Sequence, residues 1–139
     1  MFTVFGFYKF KKLNLLKKKS IILQNSFIEN EVKGTLIISK EGINGTISGK
    51  PKNIFFIKKK IKILFKINNF DNENLSKSEF QPFYRPKIKI KKEVVPMGFN
   101  IFKKNKKNNY LGPKEWNKLI KSEKTFVLDA RKPFEYEVG

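Results

Sequence analysis

Apolar residues recur along this chain at two spacings, and the changes of spacing mark its elements. Residues 2–8 are aromatic and β-branched, as in a buried strand. From about Lys11 to Ile28 the spacing turns helical, with Leu15, Leu16, Ile22 and Leu23 on a seven-residue step and lysines filling the other face. Residues 34–39 predict a second strand, the run from Lys40 to Gly45 a turn with two glycines and an asparagine, and residues 46–49 a short third strand. Pro51 suits the first turn of a second helix, whose Ile54, Ile57, Ile61 and Leu64 form an apolar stripe with Phe65 beside it. Residues 68–78 are mostly polar and predict a loop.

The fourth strand is expected within residues 82–95, centred on 87–92. Its alternation sends Ile88 and Ile90 to one face and Lys87, Lys89 and Lys91 to the other. The resulting order, βαββαβ, predicts a ferredoxin-like (acylphosphatase-like) α+β fold, an antiparallel sheet with two helices on one face. With helices over the isoleucines, the lysines line the open face at steps of about 7 Å. That row is either an ordinary solvated face or a strip for an RNA backbone.

After Gly98 the pattern lapses into a basic, Asn-rich linker, residues 99–111. Residues 112–120 then predict a short helix with Trp116, Leu119 and Ile120 on its apolar edge, Trp116 serving as a core anchor. Residues 125–128 predict a buried strand ending at Asp129 and Arg131, and residues 132–139 a further turn and helix. One short helix and one strand cannot bury themselves. Residues 112–139 are therefore expected to open an α/β domain that is incomplete here, giving a division into 1–98, 99–111 and 112–139.

Composition narrows the chemistry. No stretch approaches ~18 uninterrupted apolar residues, so no membrane span is expected. The first residues lack the charged n-region and cleavage site of a signal peptide, and the expected location is cytoplasmic. Cysteine and histidine are both absent from the 139 residues. That removes disulfides, a thiolate nucleophile, thiolate metal ligands and the usual general base, and no metal or organic cofactor is identifiable from these residues. Basic residues outnumber acidic ones 31 to 12, for a net charge of +19, an electrostatic footprint that points to a polyanion. Yet only Arg85 and Arg131 are arginine and Ala130 is the sole alanine, while Lys, Asn, Ile and Phe abound, as an AT-rich genome produces. Part of the positive charge is therefore compositional.

Two stretches carry a family likeness. The run Gly34 to Gly49, containing Lys-Glu-Gly-Ile-Asn-Gly-Thr, together with Lys77-Ser78, Pro82-Phe83 and Lys91 to Gly98, resembles the amino-terminal domain of the bacterial rhodanese-domain tRNA uridine hydroxylases. Gly112 to Ile120, with Val127 to Arg131 and Glu135 to Gly139, resembles the start of that family's rhodanese domain. The first motif is specific, whereas the second is shared by rhodaneses generally. The resemblance implies oxygen-dependent conversion of the wobble uridine of tRNA to 5-hydroxyuridine, with tRNA as partner and molecular oxygen as co-substrate. It also implies an essential cysteine in a loop beyond the position matching Gly139, so no catalytic residue is expected among these 139.

The same likeness raises Lys40, Glu41 and Asn44 as candidates near the RNA or the active site, beside the RNA candidates Lys87, Lys89, Lys91 and Lys92. Gly42 and Gly45 are expected to serve positive φ or a close backbone approach. Asp129 and Arg131 are expected to pair with neighbouring backbone or with Glu135, fixing the loop after their strand. Three alternatives stand beside this reading. A basic module that binds RNA without modifying it is the strongest. A rhodanese-type sulfurtransferase fragment lacks the cysteine. An acylphosphatase would need an arginine in a phosphate cradle after the first strand, where this chain has Tyr8 to Leu13.

Overall fold

The computed structural model describes residues 1–94, 111–129 and 131–138. The chain divides into two compact units, Met1–Ile101 and Phe102–Gly139.

The first unit is built from β1 (Phe2–Phe10), α1 (Leu16–Glu29), β2 (Lys33–Ser39), β3 (Gly42–Gly49), α2 (Pro51–Phe65), β4 (Asn72–Ser78) and β5 (Pro86–Ile90). The five strands form one sheet in the order β4-β1-β3-β2-β5. Neighbours are antiparallel except β2 and β5, which run parallel. Alternate residues Phe5 and Phe7, Ile43 and Ile47, and Leu36 and Ile38 point to the helix side, where they meet Leu23 and Phe27 of α1 and Ile54, Ile57, Ile61 and Phe65 of α2. Phe5 and Phe7 stack with centroids 4.7 Å apart, and Phe70 closes on Phe5 edge-on at 5.6 Å. α1 lies over β2 and β5, and α2 over β1 and β3. Asn53 Nδ2 donates to Asn30 O at 2.7 Å and ties the start of α2 to the end of α1.

Several expectations change. Residues 72–78, expected as loop, are strand β4, whose side chains are nearly all exposed. An edge strand without a buried face carries no hydrophobic alternation, and its polar surface discourages pairing with another chain. Its place is fixed by β1 and by Asp71, which accepts from Phe10 N at 2.7 Å and from Lys9 Nζ at 2.6 Å. This strand is the fourth of the βαββαβ set; the lysine-alternating strand is a fifth, added parallel to β2 at the opposite edge. α1 begins at Leu16 rather than Lys11, because the amides of Lys11 and Leu13 donate to the carbonyls of Glu41 and Lys40. The hairpin turn shrinks to Lys40 and Glu41, so Ile43, Asn44 and Gly45 belong to β3.

In the second unit the described residues form α3 (Pro113–Ile120) and α4 (Pro133–Val138). Trp116, expected in a core, is 48% exposed, and α3 has no buried residue. Residues 125–128 form no strand, and Phe126, Val127 and Leu128 are exposed. Among the described residues there is no neighbouring strand to satisfy their backbone groups. The linker expected at 99–111 and the run from Val95 to Gly98 lie outside the described residues, Leu111 apart.

Candidate nucleic-acid interface

The helices cover one face of the sheet and leave the other open. Register assigns that open face row by row: Tyr8, Asn44, Ile37 and Lys89 form one row, and Gly6, Thr46, Thr35 and Lys87 the next. Lys87 and Lys89 therefore stand two strand spacings, roughly 10 Å, from Thr46 and Asn44. β5 is held at this edge by pairing with β2 and by Ile88, which packs against the core while its N–H donates to Gln24 Oε1 at 3.3 Å. Ile90, expected under the helices, is 45% exposed because it sits at the sheet's rim.

Crowding of like charge shows along this edge. Lys89 first, then Arg85, hold the Lys87 ammonium below the ordinary lysine pKa. No carboxylate reaches salt-bridge distance of Lys87 or Lys89 among the described residues. The ladder continues past β5, Lys91 N donating to Ile38 O at 3.0 Å, which sets Lys91 and Lys92 beside the hairpin end that carries Lys40. A second cationic group lies at the start of α1, where burial, then Lys66 and Lys11, lower the Lys19 pKa.

The predicted site residues thus separate by place. Asn44, Lys87 and Lys89 share the open face, whereas Lys40, Glu41, Lys91 and Lys92 gather at its hairpin end. Asn44, expected in the turn, lies within β3. Glu41 receives no donor at its buried Oε2 among the described residues, and its amide is held by Ser39 Oγ at 2.9 Å. Gly42, at φ +147°, starts β3 where a Cβ would strike the Lys9 carbonyl. Gly45 lies close to β2, and a Cβ there would come within 2.9 Å of Thr35 O. In the second unit, Arg131 grips Asp129 through Nε and Nη2, the latter at 2.8 Å, and lowers the Asp129 pKa. Arg131 Nη1 reaches Glu135 O at 3.3 Å, and Lys132 N donates to Glu135 Oε2 at 2.9 Å, which caps α4.

In the connection between β4 and β5, the sequence does not single out Gln81 or Tyr84 and offers Phe83 only as part of the family likeness. Gln81 Nε2 donates to Ser48 O at 3.3 Å, and Phe83 is set against the open face. Phe83 there closes a recess of about 210 Å³ with Thr35, Ile37, Asn44, Gly45 and Thr46. Beside it Tyr84 is 96% exposed. The available signal was the mix of aromatic and basic residues from Phe80 to Lys87.

A ferredoxin-type sheet extended by a parallel fifth strand, with lysines on its open face and along one edge, defines an acylphosphatase-like domain. Residues 2–94 match the family model of the UPF0176 acylphosphatase-like domain, and the chain belongs to that family. Over all 139 residues it is 59% identical to the tRNA uridine(34) hydroxylase of Pelagibacter ubique (strain HTCC1062). It spans 46% of the length of that curated relative. Among solved structures, the manganese/cy-diGMP complex of Klebsiella pneumoniae BlrP1 matches 66% of this chain and 24% of its own at a TM-score of 0.50 and 10% identity, which reflects the fold alone. The Bacillus subtilis acylphosphatase matches 63% of this chain and 98% of its own at a TM-score of 0.45 and 10% identity. No described helix is long and apolar enough to cross a membrane.

Proposed function

We propose that this chain is the RNA-facing part of an enzyme that hydroxylates the wobble uridine of tRNA to 5-hydroxyuridine, with molecular oxygen as co-substrate. The observation that carries this reading is the 59% identity over 139 residues to a tRNA uridine(34) hydroxylase. The cationic edge supplies the physical means, since lysines without carboxylate partners gain most from meeting phosphate. The division of labour follows the chemistry available. Residues 1–98 hold RNA on the open face, 99–111 act as a basic linker, and 112–139 open a rhodanese domain in which Asp129, Arg131 and Glu135 fix a loop. The essential cysteine of that domain is expected past the position matching Gly139. Lys40, Glu41, Lys91 and Lys92 form one end of the RNA surface, and the enzyme works in the cytoplasm, where tRNA is.

A second reading has its own support. These 139 residues contain neither cysteine nor histidine, which favours a module that binds RNA without altering it. Nucleoside mass spectrometry of tRNA from cells with and without the gene separates the two. Under the hydroxylase reading, 5-hydroxyuridine at the wobble position disappears on deletion and returns with the gene. Unchanged 5-hydroxyuridine overturns that reading and leaves binding alone.

A further inference from the structure

We propose that the recess on the open face holds one unpaired nucleobase of a bound RNA strand, and that Tyr84 stacks a neighbouring base. This inference rests on the RNA-binding reading above and gives it a contact that recognises more than phosphate.

Its walls suit a flat heterocycle. Phe83 offers an aromatic surface, Ile37 an apolar floor, and Gly45 contributes no side chain. Asn44 brings an amide donor and acceptor together, and the hydroxyls of Thr35 and Thr46 can each donate or accept. That combination matches the polar edge of a base, where donors and acceptors alternate. At about 210 Å³ the recess is smaller than the ~300–1,000 Å³ of drug-sized pockets and is of the scale of one base. None of its lining residues is a carboxylate, cysteine or histidine, so it positions a base rather than transforming one.

The surroundings fit a nucleic-acid strand better than a free apolar ligand. Lys87 and Lys89 stand directly beside Thr35 and Ile37 in the same rows, and Arg85 leads into the same strand. These place cations where the phosphates flanking an inserted base would run. Tyr84 packs against no core residue, and an aromatic ring so fully exposed between Phe83 and Arg85 has no role in the fold. Exposed aromatic rings beside basic side chains are the arrangement by which single strands are held, each base stacking on a ring while phosphates follow the charges. A duplex cannot use it, because its bases are already stacked and paired.

The experiment is a binding titration of the full 139-residue chain with a short mixed-sequence single-stranded RNA and with the same RNA in duplex form, at several salt concentrations. Tyr84→Ala and Asn44→Ala are compared with the unaltered chain. Tyr84 is exposed, so its removal leaves folding intact, and thermal melts of both variants check this. Each substitution is expected to weaken single-strand binding by roughly 5- to 100-fold. Duplex binding and the salt slope should stay unchanged, because no phosphate contact is lost. If the unaltered chain binds RNA with a steep salt slope but both variants match it on the single strand, the recess proposal is overturned and the RNA reading survives. If the unaltered chain binds neither RNA, both fall. Equal weakening on single strand and duplex would also overturn the proposal, since a base-inserting site cannot act on paired bases.

Discussion

Lys87 shows how neighbouring charge acts on one side chain. Its charge is opposed by Lys89 and Arg85, which hold its pKa below the ordinary 10.5. A phosphate placed beside it restores the charged form, so binding takes up a proton as pH rises through the lowered value. RNA affinity should therefore be full below that value and fall as pH climbs through it. Replacing Lys89 by Gln should move the downturn to higher pH, measurable by titrating affinity against pH in each protein; an unmoved downturn would refute the assignment. Gly42 works through the backbone instead. At φ +147° with the Lys9 carbonyl where a Cβ would sit, Gly42→Ala should cost at least about 1–3 kcal/mol of stability in urea denaturation. An unchanged midpoint would mean that β3 starts elsewhere.

At the scale of elements, legibility followed burial. Strands β1, β2 and β3 and helices α1 and α2 each place a periodic set of apolar side chains in the core, and their periodicity was visible in the residue order. β4 escaped because Asn72 to Ser78 bury almost nothing and are a strand only through pairing with β1. The apolar run from Thr125 to Leu128 shows the converse, since composition alone makes no strand where backbone partners are absent from the described residues. β5 was recognised as a strand by its Lys-Ile alternation, but its parallel place beside β2 was not, because alternation sets faces and not neighbours. Asp71 is the pin of the β4 edge. Asp71→Ala would strip the Phe10 amide of its acceptor and remove the Lys9 ion pair. A loss of about 1–3 kcal/mol is expected, with faster amide exchange along Asn72–Ser78; unaltered exchange there would show that β4 is held by other means.

For the whole molecule, the net charge of +19 says little until the fold sorts it. Register brings Lys87 and Lys89 onto the one sheet face that the helices leave bare. The candidate site was thus half legible: the lysine row came from alternation, but Thr35, Thr46, Phe83 and Tyr84 join Asn44 only through sheet register and the β4–β5 connection. By the proposed reading, this open face and its edge carry RNA. That reading is tested most directly by the salt dependence of tRNA affinity for the chain and for a variant with Lys87, Lys89 and Lys91 all changed to Gln. If six or more phosphates are engaged, affinity should fall by ~10³ or more between about 50 and 200 mM salt. In the variant the slope of log affinity against log salt should shrink by roughly one per lysine removed. A variant slope equal to that of the unaltered chain would place the RNA on another surface and contradict the account.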